Sequence, residues 1–286
     1  MSSSNGAIAG RVHCSPELNE QQYNLRVAFP DYPDVREGWL AASAAWRDEA
    51  RPRLDLAYGG QPLQKLDFYG SGQPGRPLLV FVHGGYWQGG DKADVGFVSR
   101  PYVQAGIDVA VINYSLAPAA TIEAMVAEVR QSLTWLADNA AGLGFDPRRI
   151  SLMGHSAGGH LVSMMVAGTP DNAAGMPAID YVFPISGVFD LAPLRASSVN
   201  DALGLDEARA EALSPVAWPG PAQARVHTFV GANETQQFHF QSEALGQAWS
   251  VAKHDSVPGT HHFTVLDVMG DPASAYARAV IDAILE

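Results

Sequence analysis

The sequence predicts an α/β protein with a mostly parallel central sheet, helices on both of its faces and an N-terminal helical arm. Three observations carry that prediction. Short continuous apolar runs, such as residues 78–82, mark strands buried on both faces. Segments with apolar residues at three- and four-residue spacing alternate with those runs, as helices covering a parallel sheet do. The 286 residues are 47% hydrophobic and only 17% charged, enough for one large core and a better fit to one domain than to two.

Taken in order, residues 1–17 are expected to be disordered or extended, because Ser, Gly, Ala and Asn dominate the first ten. Residues 18–286 are expected to form a single domain, with 18–60 an arm and helix packed over the site. Within that arm residues 35–51 read as helical, and Trp39 and Trp46 fall on one face. Residues 64–69 read as a strand and 70–77 as a turn-rich break. Strands follow at 78–82 and 108–114, with a helix near 95–105 between them. Residues 121–139 form the strongest helical pattern, repeating Ile122, Met125, Val126, Val129, Leu133 and Leu136. A strand at 149–153 leads into a helix at 157–167. Strands at 181–185, 226–230 and 255–257 then alternate with helices near 237–251 and 273–285. In such a sheet the ligand is expected at the carboxyl ends of the strands.

Composition narrows the function. A formal net charge of −12 repels phosphate backbones and anionic headgroups, so neither nucleic acid nor a membrane surface is an expected partner. The lone cysteine, Cys14, cannot form an intramolecular disulfide or a thiolate zinc site, and it fits a reducing, cytoplasmic compartment. The N-terminus lacks the basic start and apolar run of a secretory signal, and no stretch approaches the roughly 20 apolar residues that span a bilayer.

Two motifs carry chemistry. Gly154-His155-Ser156-Ala157-Gly158 fits Gly-x-Ser-x-Gly, with a strand before it and a helix after it. A serine on a strained strand-to-helix turn needs small neighbours, because side chains there would collide with adjoining elements. The alternative is a small-residue helix start or phosphate loop. His83-Gly84-Gly85-Tyr86-Trp87 ends the strand at 78–82. Its glycines let the backbone come close to a reacting carbonyl, so the amides of Gly84 and Gly85, with that of Ala157, are candidates for an oxyanion hole. A plain Gly-Gly turn is the other interpretation, and a phosphate loop is excluded because no Gly-Lys-Ser/Thr follows. With the acid and the histidine following the serine in chain order, the base must come late. His261 and His262 are the candidates, with Glu234 and Asp190 the candidate acids.

These motifs resemble the kynurenine formamidase (arylformamidase) group of α/β-hydrolases, near the hormone-sensitive-lipase-like esterases. Asn113-Tyr114-Ser115-Leu116-Ala117-Pro118, Asp146-Pro147-Arg148-Arg149-Ile150 and Gly187-Val188-Phe189-Asp190-Leu191 carry the resemblance as well. It extends from about Tyr23 to the C-terminus. It implies an α/β-hydrolase fold and a serine hydrolase that needs no cofactor or metal. In that group the base directly precedes a phenylalanine, which selects His262. A carboxylate stands four residues before another phenylalanine, Phe238, which selects Glu234, although Asp is common at that position. Tyr86 and Trp87 are expected at the pocket mouth against a planar substrate, with core packing the competing role for Trp87. The implied substrate is a small N-formyl or N-acyl arylamine such as N-formylkynurenine. A broad short-chain carboxylesterase and a non-catalytic ligand-binding homologue are the alternatives, and a homodimer is compatible with the group.

Overall fold

The computed structural model describes residues 15–172, 176–251 and 253–286, so the expectation for residues 1–17 falls almost wholly outside the described residues. The chain opens with three helices, α1 (Pro16–Tyr23), α2 (Leu25–Ala28) and α3 (Tyr32–Ala50). Strands β1 (Arg53–Ala57), β2 (Lys65–Tyr69) and β3 (Arg76–Val82) follow, then α4 (Arg100–Gln104), β4 (Asp108–Ile112), α5 (Ile122–Asp138) and α6 (Ala140–Leu143). Next come β5 (Phe145–His155), α7 (Ala157–Met164) and β6 (Ile179–Ile185), with the short helices α8 (Asn200–Leu203) and α9 (Glu207–Ala212) between β6 and β7 (Arg225–Gly231). The chain closes with α10 (Gln236–Trp249), β8 (Lys253–Val257), α11 (Val265–Met269) and α12 (Ala275–Leu285).

Among the described residues the eight strands form one sheet in the order β1-β2-β4-β3-β5-β6-β7-β8. Pairing is antiparallel for β1–β2 and β2–β4 and parallel across the rest. The inner stretches of the central strands, residues 78–82 and 109–112, are apolar because helices cover both faces, and all of β4 is buried. Helix α5 begins where Thr121 accepts a hydrogen bond from the Ala124 N–H at 3.3 Å, and its periodic residues from Ile122 to Leu136 are buried. Each such side chain contributes about 2 kcal/mol by leaving water.

Four elements differ from expectation. Strand β1 escaped notice because its side chains are mostly exposed and partly charged, as an edge strand tolerates. The helix near 95–105 is a 3₁₀ turn, Gly96–Ser99, and only then α-helix: Pro101 has no N–H to bond back and so sits in the first α turn. Helices α8 and α9 have four and six residues, too few for a helical period to register.

Candidate active site

The carboxyl ends of β3, β5, β6, β7 and β8 converge, and the turn after β5 carries Ser156. This residue has φ 54° and ψ −117°, a left-handed conformation that is strained for a side-chain-bearing residue. The glycines on either side are a steric requirement. A Cβ on Gly154 would lie 2.2 Å from the Gly158 carbonyl oxygen, and one on Gly158 would lie 2.0 Å from that of Val82. The turn is pinned by the Ser156 N–H, which donates to the Ile185 carbonyl at 2.8 Å. Its neighbour His155 is buried, and desolvation holds its pKa well below the ordinary range, so the ring is neutral. His155 Nε2 donates to the His262 carbonyl at 2.7 Å and thereby ties the serine turn to the loop after β8.

The loop after β3 supplies a second wall. Tyr114 Oη donates to the His83 carbonyl at 2.9 Å, and the Ala117 N–H donates to the Trp87 carbonyl at 2.7 Å. Asn113 braces the far side: it accepts from the Lys92 N–H at 2.6 Å and donates to Asp91 at 2.8 Å. Gly85 has φ 116° and no room for a Cβ, which would lie 2.2 Å from the Gly89 oxygen. Among the described residues the N–H groups of Gly84, Gly85 and Ala157 have no protein acceptor. Tyr86 lines the cavity, with its hydroxyl donating to the Tyr23 carbonyl at 2.7 Å. Trp87 does not meet its expectation as a substrate contact. It is fully buried, packs edge-on against His160 at 5.1 Å between ring centroids, and lies outside the cavity lining. Tyr86 and Trp87 are consecutive left-handed residues, φ 51° and 58°, with ring centroids 6.3 Å apart; the first ring lies on the cavity wall and the second behind it in the core.

Glu234 follows β7, and its side chain is fully buried. One carboxylate oxygen, Oε2, accepts from His262 Nδ1 at 2.8 Å. The other, Oε1, accepts from the Gly231 N–H at 2.7 Å and from Ser186 Oγ. A carboxylate can only accept, so Nδ1 of His262 carries the hydrogen and Nε2 is left with its lone pair. The acid and base loops are stitched together by main-chain bonds from Ala232 to Val257 and from Asn233 to Thr260, at 2.9 and 2.8 Å. The His262 ring is boxed by Phe238 at 4.5 Å and His155 at 4.8 Å. The rival acid, Asp190, bonds the Ala192 N–H at 3.0 Å, within its own loop. His261 points the other way, with Nε2 on Asp31 at 3.0 Å.

Ser156 and His262 both line a cavity of about 380 Å³, together with Gly84, Gly85 and Tyr86. Ser156 is only 2% exposed, and its exposure is toward the group of residues that wall this cavity. Residues from the N-terminal arm, Tyr23, Leu25, Arg26, Tyr32 and Trp39, complete the wall. Ser186 and Arg26 drew no attention in the sequence. Ser186 lies just past a strand end with nothing unusual around it, and Arg26 sits in an irregular stretch. Among the described residues no helix is long and apolar enough to cross a membrane.

A strained serine at a strand-to-helix turn, free amides beside it and a carboxylate-held imidazole across the cavity define a serine hydrolase of the α/β-hydrolase fold. The comparisons with known proteins give the branch. The family profile described as BD-FAE matches residues 66–211. Kynurenine formamidase of Danio rerio is 31% identical over 253 residues, covering 83% of this chain and 85% of the relative. A Silicibacter sp. crystal structure provisionally described as a thioesterase is 31% identical with a TM-score of 0.82, covering 93% of this chain and 98% of its own. Esterase B of Lactobacillus rhamnosis, at 21% identity and a TM-score of 0.69, shares the fold over 87% of this chain and 96% of its own. The chain belongs to the kynurenine formamidase family.

Proposed function

We propose that this enzyme cleaves a small N-formyl or N-acyl arylamine, of the N-formylkynurenine kind, through an acyl-enzyme on Ser156. The bond from His262 Nδ1 to Glu234 at 2.8 Å, beside a cavity that also holds Ser156, is the observation that supports this reading most. In the mechanism, His262 Nε2 takes the Ser156 Oγ proton as Oγ attacks the acyl carbon. The N–H groups of Gly84, Gly85 and Ala157 donate to the oxyanion that forms, each worth about 3 kcal/mol of transition-state stabilisation. Glu234 holds His262 in the needed tautomer and stabilises the imidazolium. The imidazolium then protonates the leaving amine as the C–N bond breaks. Water, deprotonated by His262, attacks the acyl-enzyme, and Ser156 recovers its proton as the carboxylic acid departs. Every proton passes through His262, so the cycle closes on the chain's own groups.

A cavity of about 380 Å³ suits a single aromatic ring with a short substituent, and Tyr86, Tyr32, Trp39 and Phe263 are among the aromatics that line it. A short-chain carboxylesterase is the second reading: the Silicibacter protein, 31% identical, is provisionally described as a thioesterase, and an ester would be cleaved through the same acyl-enzyme. Formyl-anilides, acetyl-anilides and p-nitrophenyl esters compared by kcat/KM separate the two: preference for the formyl-anilide is expected, and equal rates on simple esters would overturn it. A fluorophosphonate probe is expected to label the wild type and not S156A. An unlabelled wild type would refute the acyl-enzyme. A cytoplasmic location and a homodimer belong to the same reading, to be checked by fractionation and by light scattering.

A further inference from the structure

Among the described residues Arg26 is the only lysine or arginine that lines the cavity. It rides on α2, and the arm is fastened on both sides of that helix. On one side the Tyr86 hydroxyl holds the Tyr23 carbonyl at 2.7 Å. On the other, Asp31 accepts from His261 Nε2 at 3.0 Å, and Phe29 stacks on the His261 ring at 4.6 Å and 11°. Leu25 is buried between them, so the backbone that carries Arg26 is fixed against the site. The two carboxylates lining the same cavity are engaged elsewhere. Asp94 takes both Nε and Nη2 of Arg36, at 3.2 and 2.8 Å. Asp91 accepts from the Ala93 N–H and from Asn113, each at 2.8 Å. Arg26 forms no ion pair with a carboxylate of the described residues, and it lines the cavity that holds Ser156.

The charge matters because of its setting. A chain of net charge −12 repels an anionic substrate at long range. A guanidinium on the cavity wall supplies a local cation, and its planar fork pairs with a carboxylate through two parallel N–H···O bonds. We propose that Arg26 is a specificity-determining residue that binds a carboxylate carried by the substrate's arylamine portion. The inference rests on the formamidase reading: a formyl group is a single carbon with no tail, so an anionic substituent can only belong to the amine.

The test uses two formanilides with the same short tail, one ending in a carboxylate and one in a primary carboxamide. In the wild type kcat/KM favours the carboxylate. In R26Q that preference falls about tenfold or more, through KM rather than kcat, as loss of a charged hydrogen bond predicts. R26K restores part of it, and added salt erodes the preference in the wild type and not in R26Q. An unchanged preference in R26Q, or an equal loss on both substrates, would overturn the inference. If the wild type cleaves neither formanilide, the formamidase reading fails, and calorimetry still decides the role of Arg26. The tailed arylamine carboxylate should then bind S156A and bind S156A/R26Q at least tenfold more weakly, whereas equal binding to both proteins would refute the assignment.

Discussion

Replacing Glu234 by glutamine tests the proposed triad at its least expected member. The Glu234 carboxylate accepts three bonds, from His262 Nδ1, the Gly231 N–H and Ser186 Oγ. An amide of the same shape offers one oxygen and one NH₂. With the oxygen kept toward Gly231 and Ser186, the NH₂ faces Nδ1 and can only donate. His262 must then present Nδ1 as the acceptor, which moves its hydrogen to Nε2, and Nε2–H cannot take the Ser156 proton. In the established Ser-His-Asp example the same carboxylate-to-amide change lowers kcat by about 10⁴, roughly 5 kcal/mol of barrier. We expect a kcat loss of about 10³ to 10⁴ for E234Q on a p-nitrophenyl ester, with KM nearly unchanged. E234D shortens the arm by one methylene and should fall between wild type and E234Q. D190N, which alters a carboxylate bonded within its own loop, should stay within about threefold of the wild type, well short of the loss on removing a triad member. Stopped-flow and steady-state assays on proteins with matching circular dichroism spectra read the result. An E234Q enzyme that keeps a tenth of its activity while D190N loses it would refute the assignment.

Other outcomes follow from the same geometry. G158A should cost about 3 kcal/mol or more, since its Cβ would meet the Val82 oxygen at 2.0 Å, whereas G142A on α6, with nothing within 4 Å, should be neutral or stabilising by up to about 1 kcal/mol; urea unfolding measures both. Burial pushes His160 down to about 4. The unfolded chain therefore binds a proton there from about pH 6.5 downward while the folded chain does not. Stability from this group is complete above that pH and is lost as pH falls toward 4, and H160Q should show a slope shallower by about 1.4 kcal/mol per pH unit in that window. A slope identical to wild type in denaturant titrations would contradict this. Removing the bidentate bond between Arg209 and Glu123, whose pKa is held down to about 2, should matter little at neutral pH: E123Q should lose no more than about 1 kcal/mol, because the pair is largely solvated and screened. That loss should vanish as pH falls from about 4.5 to about 2 and the wild-type carboxylate is neutralised, which melting curves of both proteins would show.

How far the sequence could be read depended on the range of the interaction involved. The buried strands at 78–82 and 108–112 and the face of α5 announce themselves because burial on both sides, or on one stripe, imposes a period within a few residues. The serine turn is legible from its Gly-x-Ser-x-Gly spacing: a Cβ on Gly154 would clash within the turn at 2.2 Å, although the 2.0 Å clash that requires Gly158 is with Val82 on the neighbouring strand. Trp87 shows the limit. It follows Tyr86 directly, yet one ring lines the cavity and the other is fully buried against His160, a residue far along the chain. No one-dimensional pattern encodes that contact.

By itself the sequence pointed to the fold class and the serine on its turn, which follow from the preferences of neighbouring residues, and to the late histidine pair, which follows from the chain order of serine, acid and histidine. Only the tertiary structure decided that Glu234 faces His262 while Asp190 bonds within its own loop, that Ser186 completes the carboxylate's partners, and that the arm brings Arg26 to the cavity. Those relations join segments separated by dozens to more than a hundred residues, and they arise from how five strand ends and an N-terminal arm meet. Side-chain chemistry supplies the parts; the packing of the sheet sets the distances between them.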